Sequence, residues 1–131
     1  GGQRPAHLNE GYFIEPALFA NVDNASRIAQ EGIFGPVLCL IPAEDEADAI
    51  RIANDSEFGL NGSVFTNDPQ AAYDIARKVR TGAVAQNGMK LEFTAPFGGF
   101  KKSGIGREGG DAAIWNFLES KTILLDGPIT A

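Results

Sequence analysis

The chain has 131 residues, 44% of them hydrophobic and 9% aromatic, which is enough apolar material for one domain with a core and too much for a disordered tail. Its formal net charge of −6 argues against nucleic acid or an anionic membrane as partner, since the average field repels both. A single cysteine excludes an internal disulfide, and no apolar run approaches the roughly 20 residues of a membrane-spanning helix, so a cytoplasmic setting is expected.

The opening Gly1-Gly2-Gln3-Arg4-Pro5 lacks an initiator Met, a basic n-region and an apolar h-region. It is not a signal peptide, and the chain reads as starting inside a longer sequence. Phe13-Ile14 and residues 17–22 form an extended segment interrupted by Pro16, which suits an edge or the start of a strand. Asn24 or Ser26 caps a short helix ending near Gln30. Gln30-Glu31-Gly32-Ile33-Phe34-Gly35-Pro36-Val37 then makes a forced turn into an apolar strand, residues 37–41. Gly35 is expected to take the backbone conformation that other residues resist. Pro36 fixes its own φ and pushes the preceding residue out of the helical region, leaving Phe34 at the strand's mouth.

Asp45 opens a helix over residues 46–55 with Ala47, Ile50 and Ala53 on one face, and residues 62–66 form the next strand. Asp68-Pro69 is an N-cap followed by proline at the first helical position. The helix it opens carries Ala72, Ile75, Ala76 and Val79 as one buried stripe, Gly82 stands where a C-terminal cap belongs, and residues 82–87 are the third strand. This alternation predicts an α/β fold, a layered α/β/α arrangement with a mainly parallel sheet. Residues 88–103 are too long for a simple connector and make a candidate functional loop. A helix over residues 109–120 precedes strand-like Thr122-Ile123-Leu124-Leu125, an apolar end strand that would template association.

Several residues invite chemistry. Cys39 lies within an apolar strand, which disfavours the thiolate that a nucleophile needs, and it reads as a core residue. His7 has no second histidine, cysteine pair or carboxylate at ligand spacing and reads as a solvated loop residue rather than a metal ligand. Gly104-Ile105-Gly106-Arg107-Glu108-Gly109 satisfies the nominal dinucleotide fingerprint. No strand leads into it and no acidic residue closes a second strand about 20 positions on, so it reads as the start of a tightly packed helix. Asn54-Asp55-Ser56 and Asn61-Gly62-Ser63 are formal glycosylation sequons without a secretory signal to give them meaning. Phe34, Leu60 and Phe97 each sit at a turn at the edge of an element, where an apolar side chain can wall a shared pocket; ordinary core packing is the competing reading.

The octet at residues 30–37 resembles the E-E-I-F-G-P-V signature of the aldehyde dehydrogenase superfamily. Gly11-Tyr12-Phe13-Ile14-Glu15-Pro16-Ala17-Leu18-Phe19 is similar to the family strand before it, and Asn54-Asp55-Ser56-Glu57-Phe58-Gly59-Leu60 to its N-x-x-x-Y-G-L segment. Pro96-Phe97-Gly98-Gly99-Phe100-Lys101-Lys102-Ser103-Gly104-Ile105-Gly106-Arg107-Glu108 matches P-F-G-G-x-K-x-S-G-x-G-R-E almost throughout. The resemblance covers nearly the whole chain in the family's motif order, and it implies the C-terminal part of the catalytic domain. Residues 1–121 would be that partial domain and residues 122–131 a C-terminal oligomerisation strand and tail.

What the resemblance implies is an oxidoreductase converting aldehydes to carboxylic acids with NAD or NADP. A cysteine thiolate attacks the aldehyde, hydride passes to nicotinamide, and water guided by a glutamate base releases the acid. The nucleophile lies upstream of every segment present, so no catalytic residue is assigned and the isolated chain is expected to be inactive. Phe34, Leu60 and Phe97 match positions that hold the nicotinamide end of the cofactor. Leu91 and Phe93 match the aldehyde-entrance loop, here one residue shorter than in some members. Gly32 departs from the pattern, for it stands where the family has the glutamate that accepts hydrogen bonds from the nicotinamide ribose. Expected partners are the aldehyde, further copies of the chain, or the missing part of the enzyme. A non-catalytic interaction module, or one chain of a split enzyme, is the alternative.

Overall fold

Two parallel strand pairs, each joined by a helix, and one short antiparallel pair make up the sheet structure of the computed structural model, which describes residues 1–129. Strand β1 (Ala17–Phe19) runs parallel to β2 (Val37–Cys39), with Leu18 opposite Leu38, and the helix α1 (Arg27–Gln30) lies between them in sequence. Strand β4 (Asn61–Val64) runs parallel to β5 (Ala83–Gln86), with Gly62 opposite Val84, and α3 (Pro69–Ala76) provides the crossover. The helix α2 (Glu46–Asn54) connects the two units, and β3 (Phe58–Gly59) pairs antiparallel with β6 (Phe100–Lys101).

Local chemistry accounts for the helix starts. The Asp45 carboxylate accepts the Asp48 N–H at 2.8 Å, while the Asp48 carboxylate accepts the Glu44 N–H at 3.1 Å, a reciprocal cap. That amide, followed by the Arg51 guanidinium at 2.7 Å, holds the Asp48 carboxyl below its ordinary value. At α3 the Asp68 carboxylate accepts the Gln70 N–H at 2.8 Å ahead of Pro69. Ser26 stands at the N-cap of α1 without a side-chain cap bond.

The strands join as three separate pairs within this chain, two parallel and one antiparallel; the α/β class holds, and each pair keeps both outer edges open. A hydrophobic core was also expected, yet among the described residues only Ala72 and Ala85 are buried hydrophobics. The accessible surface is 10672 Å². A compact monomer of 13.9 kDa exposes about 6,700 Å². The large apolar side chains Leu18 and Leu38 of the strands, and Phe65 just beyond β4, face outward. The stripe expected around α3 does turn inward, with Ala72 buried and Ile75, Ala76 and, past the helix end, Val79 half-buried, whereas of Ala47, Ile50 and Ala53 on α2 Ile50 alone is half-buried.

Three local expectations are corrected as well. The positive φ in the octet falls on Phe34 (53°) rather than on Gly35. The helix α3 stops at Ala76, before Gly82, which does no capping. The last helix is a 3₁₀ helix over Asp111–Phe117, whose N-cap Gly110 supplies no side-chain bond. Residues 122–125 take no strand pairing among the described residues, and Thr130 and Ala131 lie outside them.

Candidate functional site

The turn that carries Phe34 is fixed from behind by Gln30. Its amide Nε2 donates to the Asn24 carbonyl at 2.7 Å and to the Asp55 carbonyl at 2.9 Å, so the end of α1 is tied to the end of α2. Four residues on, Phe34 takes its left-handed φ of 53° with its side chain fully exposed. A bulky residue in that region is held at a cost of about 1–3 kcal/mol, and such conformations cluster at ligand-clamping positions. The ring folds back over Gly32: a Cβ there would lie 3.2 Å from Phe34 Cε2.

Leu60 is placed by a different device. The Asn54 side chain donates to the Lys78 carbonyl at 2.9 Å and accepts the Arg80 N–H at 2.7 Å. Buried Gly59 then passes so close to Arg80 that a Cβ would sit 2.3 Å from the Arg80 carbonyl oxygen. The Gly59 N–H donates to Ser103 Oγ at 2.9 Å, the Lys102 N–H to the Glu57 carbonyl at 2.9 Å, and half-buried Lys101 Nζ to the Asn54 and Ser56 carbonyls, each at 2.8 Å. These bonds lock residues 54–60 against residues 100–103 and set Leu60 beside the loop that carries Phe97.

Phe97 is fixed by a two-bond bridge to Glu108, each N–H donating to the other's carbonyl at 2.7 Å. Arg107 spans the same loop, donating to the Gly99 carbonyl at 2.8 Å and lying 5.3 Å from the centre of the Phe100 ring. Side chains would obstruct this fold, since a Cβ on Gly98 would meet the Gly106 carbonyl oxygen at 2.4 Å. Within the nominal dinucleotide fingerprint, Gly109 is the glycine that packing requires, with a φ of 73° and a Cβ position 2.9 Å from the Ala95 carbonyl oxygen.

Three clefts connect the residues expected from the sequence. The first, about 420 Å³, is lined by Gly32, Phe34, Leu60 and Ser103. The second, about 350 Å³, shares Leu60 and Ser103 with it and adds Phe97. The third, about 590 Å³, shares Phe97 and contains Leu91 and Phe93, with Met89, Ala95 and Pro96. All six residues thus line neighbouring clefts, the first two sharing Leu60 and Ser103 and the last two sharing Phe97 and Glu108. Cys39 is half-buried on β2, with Sγ 3.8 Å from the Ile28 carbonyl, and lines none of the three; His7 is exposed. No group of three or more metal-ligating side chains occurs among the described residues. No described helix is long and apolar enough to cross a membrane.

Sequence reasoning missed Asn54, Lys101 and Ser103 as the residues that assemble these clefts. Their partners lie 24 to 47 positions away, beyond any periodic pattern or local capping rule.

The first cleft suits the ring end of a nicotinamide cofactor better than the ribose end. Phe34 and Leu60 present apolar surface there, but Gly32 offers no acceptor, and the Oε1 of neighbouring Glu31 already accepts from Arg27 Nε at 2.8 Å. Phe34, Leu60 and Phe97 are the residues that would hold such a group.

A model of the aldehyde dehydrogenase family matches residues 1–123. The chain is 50% identical over 121 residues to 3-succinoylsemialdehyde-pyridine dehydrogenase of a Pseudomonas species, covering 92% of this chain and 25% of that protein. It is 49% identical over 127 residues to geranial dehydrogenase of Castellaniella defragrans, covering 97% and 26%. The crystal structure of Mycobacterium tuberculosis aldehyde dehydrogenase complexed with NAD+ superposes with a TM-score of 0.90 at 48% identity, over 98% of this chain and 26% of that one. The chain spans about a quarter of the length of these relatives. With its motifs, its α/β fold and these matches in agreement, the chain belongs to the aldehyde dehydrogenase family.

Proposed function

We propose that this chain is the C-terminal part of the catalytic domain of an NAD(P)-dependent aldehyde dehydrogenase, where it forms the nicotinamide-side wall and the aldehyde mouth. The observation that carries the proposal is the run of three neighbouring clefts, linked by shared Leu60, Ser103 and Phe97, that places Gly32 and Phe34 at one end and Leu91 and Phe93 at the other. NAD(P), when bound, supplies the hydride acceptor. The residues of this chain orient its ring, exclude water from one side and guide the aldehyde. They provide neither the thiolate nor the general base, since Cys39 lines none of the three clefts, and a pocket without its nucleophile offers binding alone. A cytoplasmic setting and a homo-oligomer joined through residues 122–125, where Ile123, Leu124 and Leu125 are exposed, complete this reading.

A second reading, a non-catalytic module or one chain of a split enzyme, is favoured by Gly32 at the ribose-contact position and by the surface excess over a compact monomer. Both readings are tested by assaying aldehyde-dependent NAD(P)H formation in the isolated chain and in the complete enzyme. Activity is expected only in the latter. Phe34→Ala in the complete enzyme is expected to raise KM for NAD(P) without lowering thermal stability, because the ring is fully exposed here. Unchanged KM and kcat would remove Phe34 from the cofactor wall.

A further inference from the structure

The third cleft differs from the others in its chemistry, and the difference bears on the substrate. Met89, Leu91, Phe93, Ala95, Pro96 and Phe97 line it with apolar surface, and its volume of about 590 Å³ falls within the usual range for small-molecule sites. Its charged residues are Lys90, Glu92 and Glu108, one cation against two anions. That balance does not attract a carboxylate-terminated aldehyde. Glu92 is already engaged by its own turn, where its Oε1 accepts the Thr94 hydroxyl at 2.7 Å and the Thr94 N–H at 3.1 Å. The aromatic residues are both phenylalanine, and neither Trp nor Tyr lines the cleft, so it lacks the strongest faces for a quaternary ammonium group.

We infer that this cleft selects aldehydes whose non-reacting end is uncharged and apolar, an alkyl chain or hydrocarbon ring lying along Leu91, Phe93 and Phe97. The inference rests on the reading of Leu91 and Phe93 as lining the aldehyde mouth. Selectivity comes from removing hydrocarbon from water, so each added methylene that reaches the wall raises kcat/KM until the cleft is full, by about fourfold.

The test is steady-state kinetics of the complete enzyme with NAD+ and propanal, hexanal, octanal, succinate semialdehyde and betaine aldehyde. The expected result is a kcat/KM that climbs along the alkyl series, with both charged aldehydes below hexanal. Phe93→Asp should flatten the climb, lowering kcat/KM for octanal by at least tenfold more than for propanal; Phe93 is largely exposed, so the substitution does not threaten folding. A flat alkyl series, or either charged aldehyde outperforming octanal, overturns the inference while leaving the dehydrogenase reading intact. If no aldehyde supports NADH formation, that reading falls and the inference falls with it.

Discussion

Lys101 joins two segments that the sequence keeps 45 or more residues apart, and replacing it by Met in the complete enzyme is the sharpest test of how the site is assembled. Its Nζ donates to the Asn54 and Ser56 carbonyls, each at 2.8 Å, and is half-buried. A hydrogen bond from a charged donor contributes about 1.5–3 kcal/mol, and partial exposure favours the lower end, so the two together stabilise the junction by about 3 kcal/mol. Methionine keeps the apolar stem and removes both bonds. Opening of the 54–60 and 100–103 pairing should then become easier by roughly a hundredfold. Hydrogen exchange at the Gly59 and Lys102 amides, which donate to Ser103 Oγ and to the Glu57 carbonyl, reads this directly, and KM for NAD(P) should rise as Leu60 loses its position. Lys101 also has a φ of 55°, which Met would share and Gly would relieve. Lys101→Gly should therefore destabilise less than Lys101→Met, by about 1 kcal/mol, although it removes more of the side chain. Unchanged exchange and KM in Lys101→Met would refute the clamp, and a Gly variant worse than the Met variant would refute the backbone argument.

Restoring the family residue with Gly32→Glu brings a Cβ to 3.2 Å from Phe34 Cε2, a crowding that the exposed ring can relieve by a small rotation. Calorimetry should then show NAD(P) binding about tenfold tighter, from hydrogen bonds to a carboxylate; unchanged affinity would show that this position does not limit the site. Gly82→Ala places a Cβ 1.5 Å from the Gly98 carbonyl oxygen, with backbone on both sides, and should leave the enzyme insoluble or unable to fold, whereas normal yield and activity would contradict the packing. The Thr94 hydroxyl, followed by the Thr94 N–H, holds the Glu92 carboxyl below its ordinary value. Its contribution is present above the unfolded value, about pH 4.3, and is lost as pH falls through the lowered folded value. Proteolytic nicking within residues 88–95 should accordingly increase on acidification below pH 4, and Thr94→Ala should remove most of that dependence.

Features that depend on neighbouring residues were legible in the sequence. Asp68-Pro69 announced α3, the strand–helix–strand spacing announced parallel pairs, and Phe34, Leu60 and Phe97, singled out by their turn positions, each line a cleft. Features set by distant backbone were not. Gly82 looked like a helix cap because a glycine after a helix usually is one, but its lack of a side chain serves the close approach to Gly98, sixteen residues on. Gly35 looked like the residue needing a positive φ, yet Phe34 takes it, because Pro36 restricts Gly35 and leaves the reversal one position earlier. How the strand pairs are layered was not legible for a related reason. Alternation predicts that two strands run parallel, and it is silent on whether one pair lies beside the next.

The same contrast explains how a chain with almost no buried hydrophobic side chains can hold a recognisable site. Its accessible surface exceeds that of a compact monomer by about 4,000 Å², so hydrophobic burial within the chain does little to place Phe34, Leu60 and Phe97. Their positions are fixed instead by polar side chains reaching backbone carbonyls and amides: Gln30 to residues 24 and 55, Asn54 to 78 and 80, Lys101 to 54 and 56, and Ser103 to 59. Such bonds have narrow geometric limits and hold a wall at a set distance, whereas apolar contacts are non-directional. The outward-facing strand residues are then left to meet whatever covers them. A division of this kind predicts that substitutions at Gln30, Asn54, Lys101 and Ser103 change local opening and cofactor kinetics together, and that substitutions at the outward-facing strand residues Leu18 and Leu38 change assembly without changing cofactor kinetics.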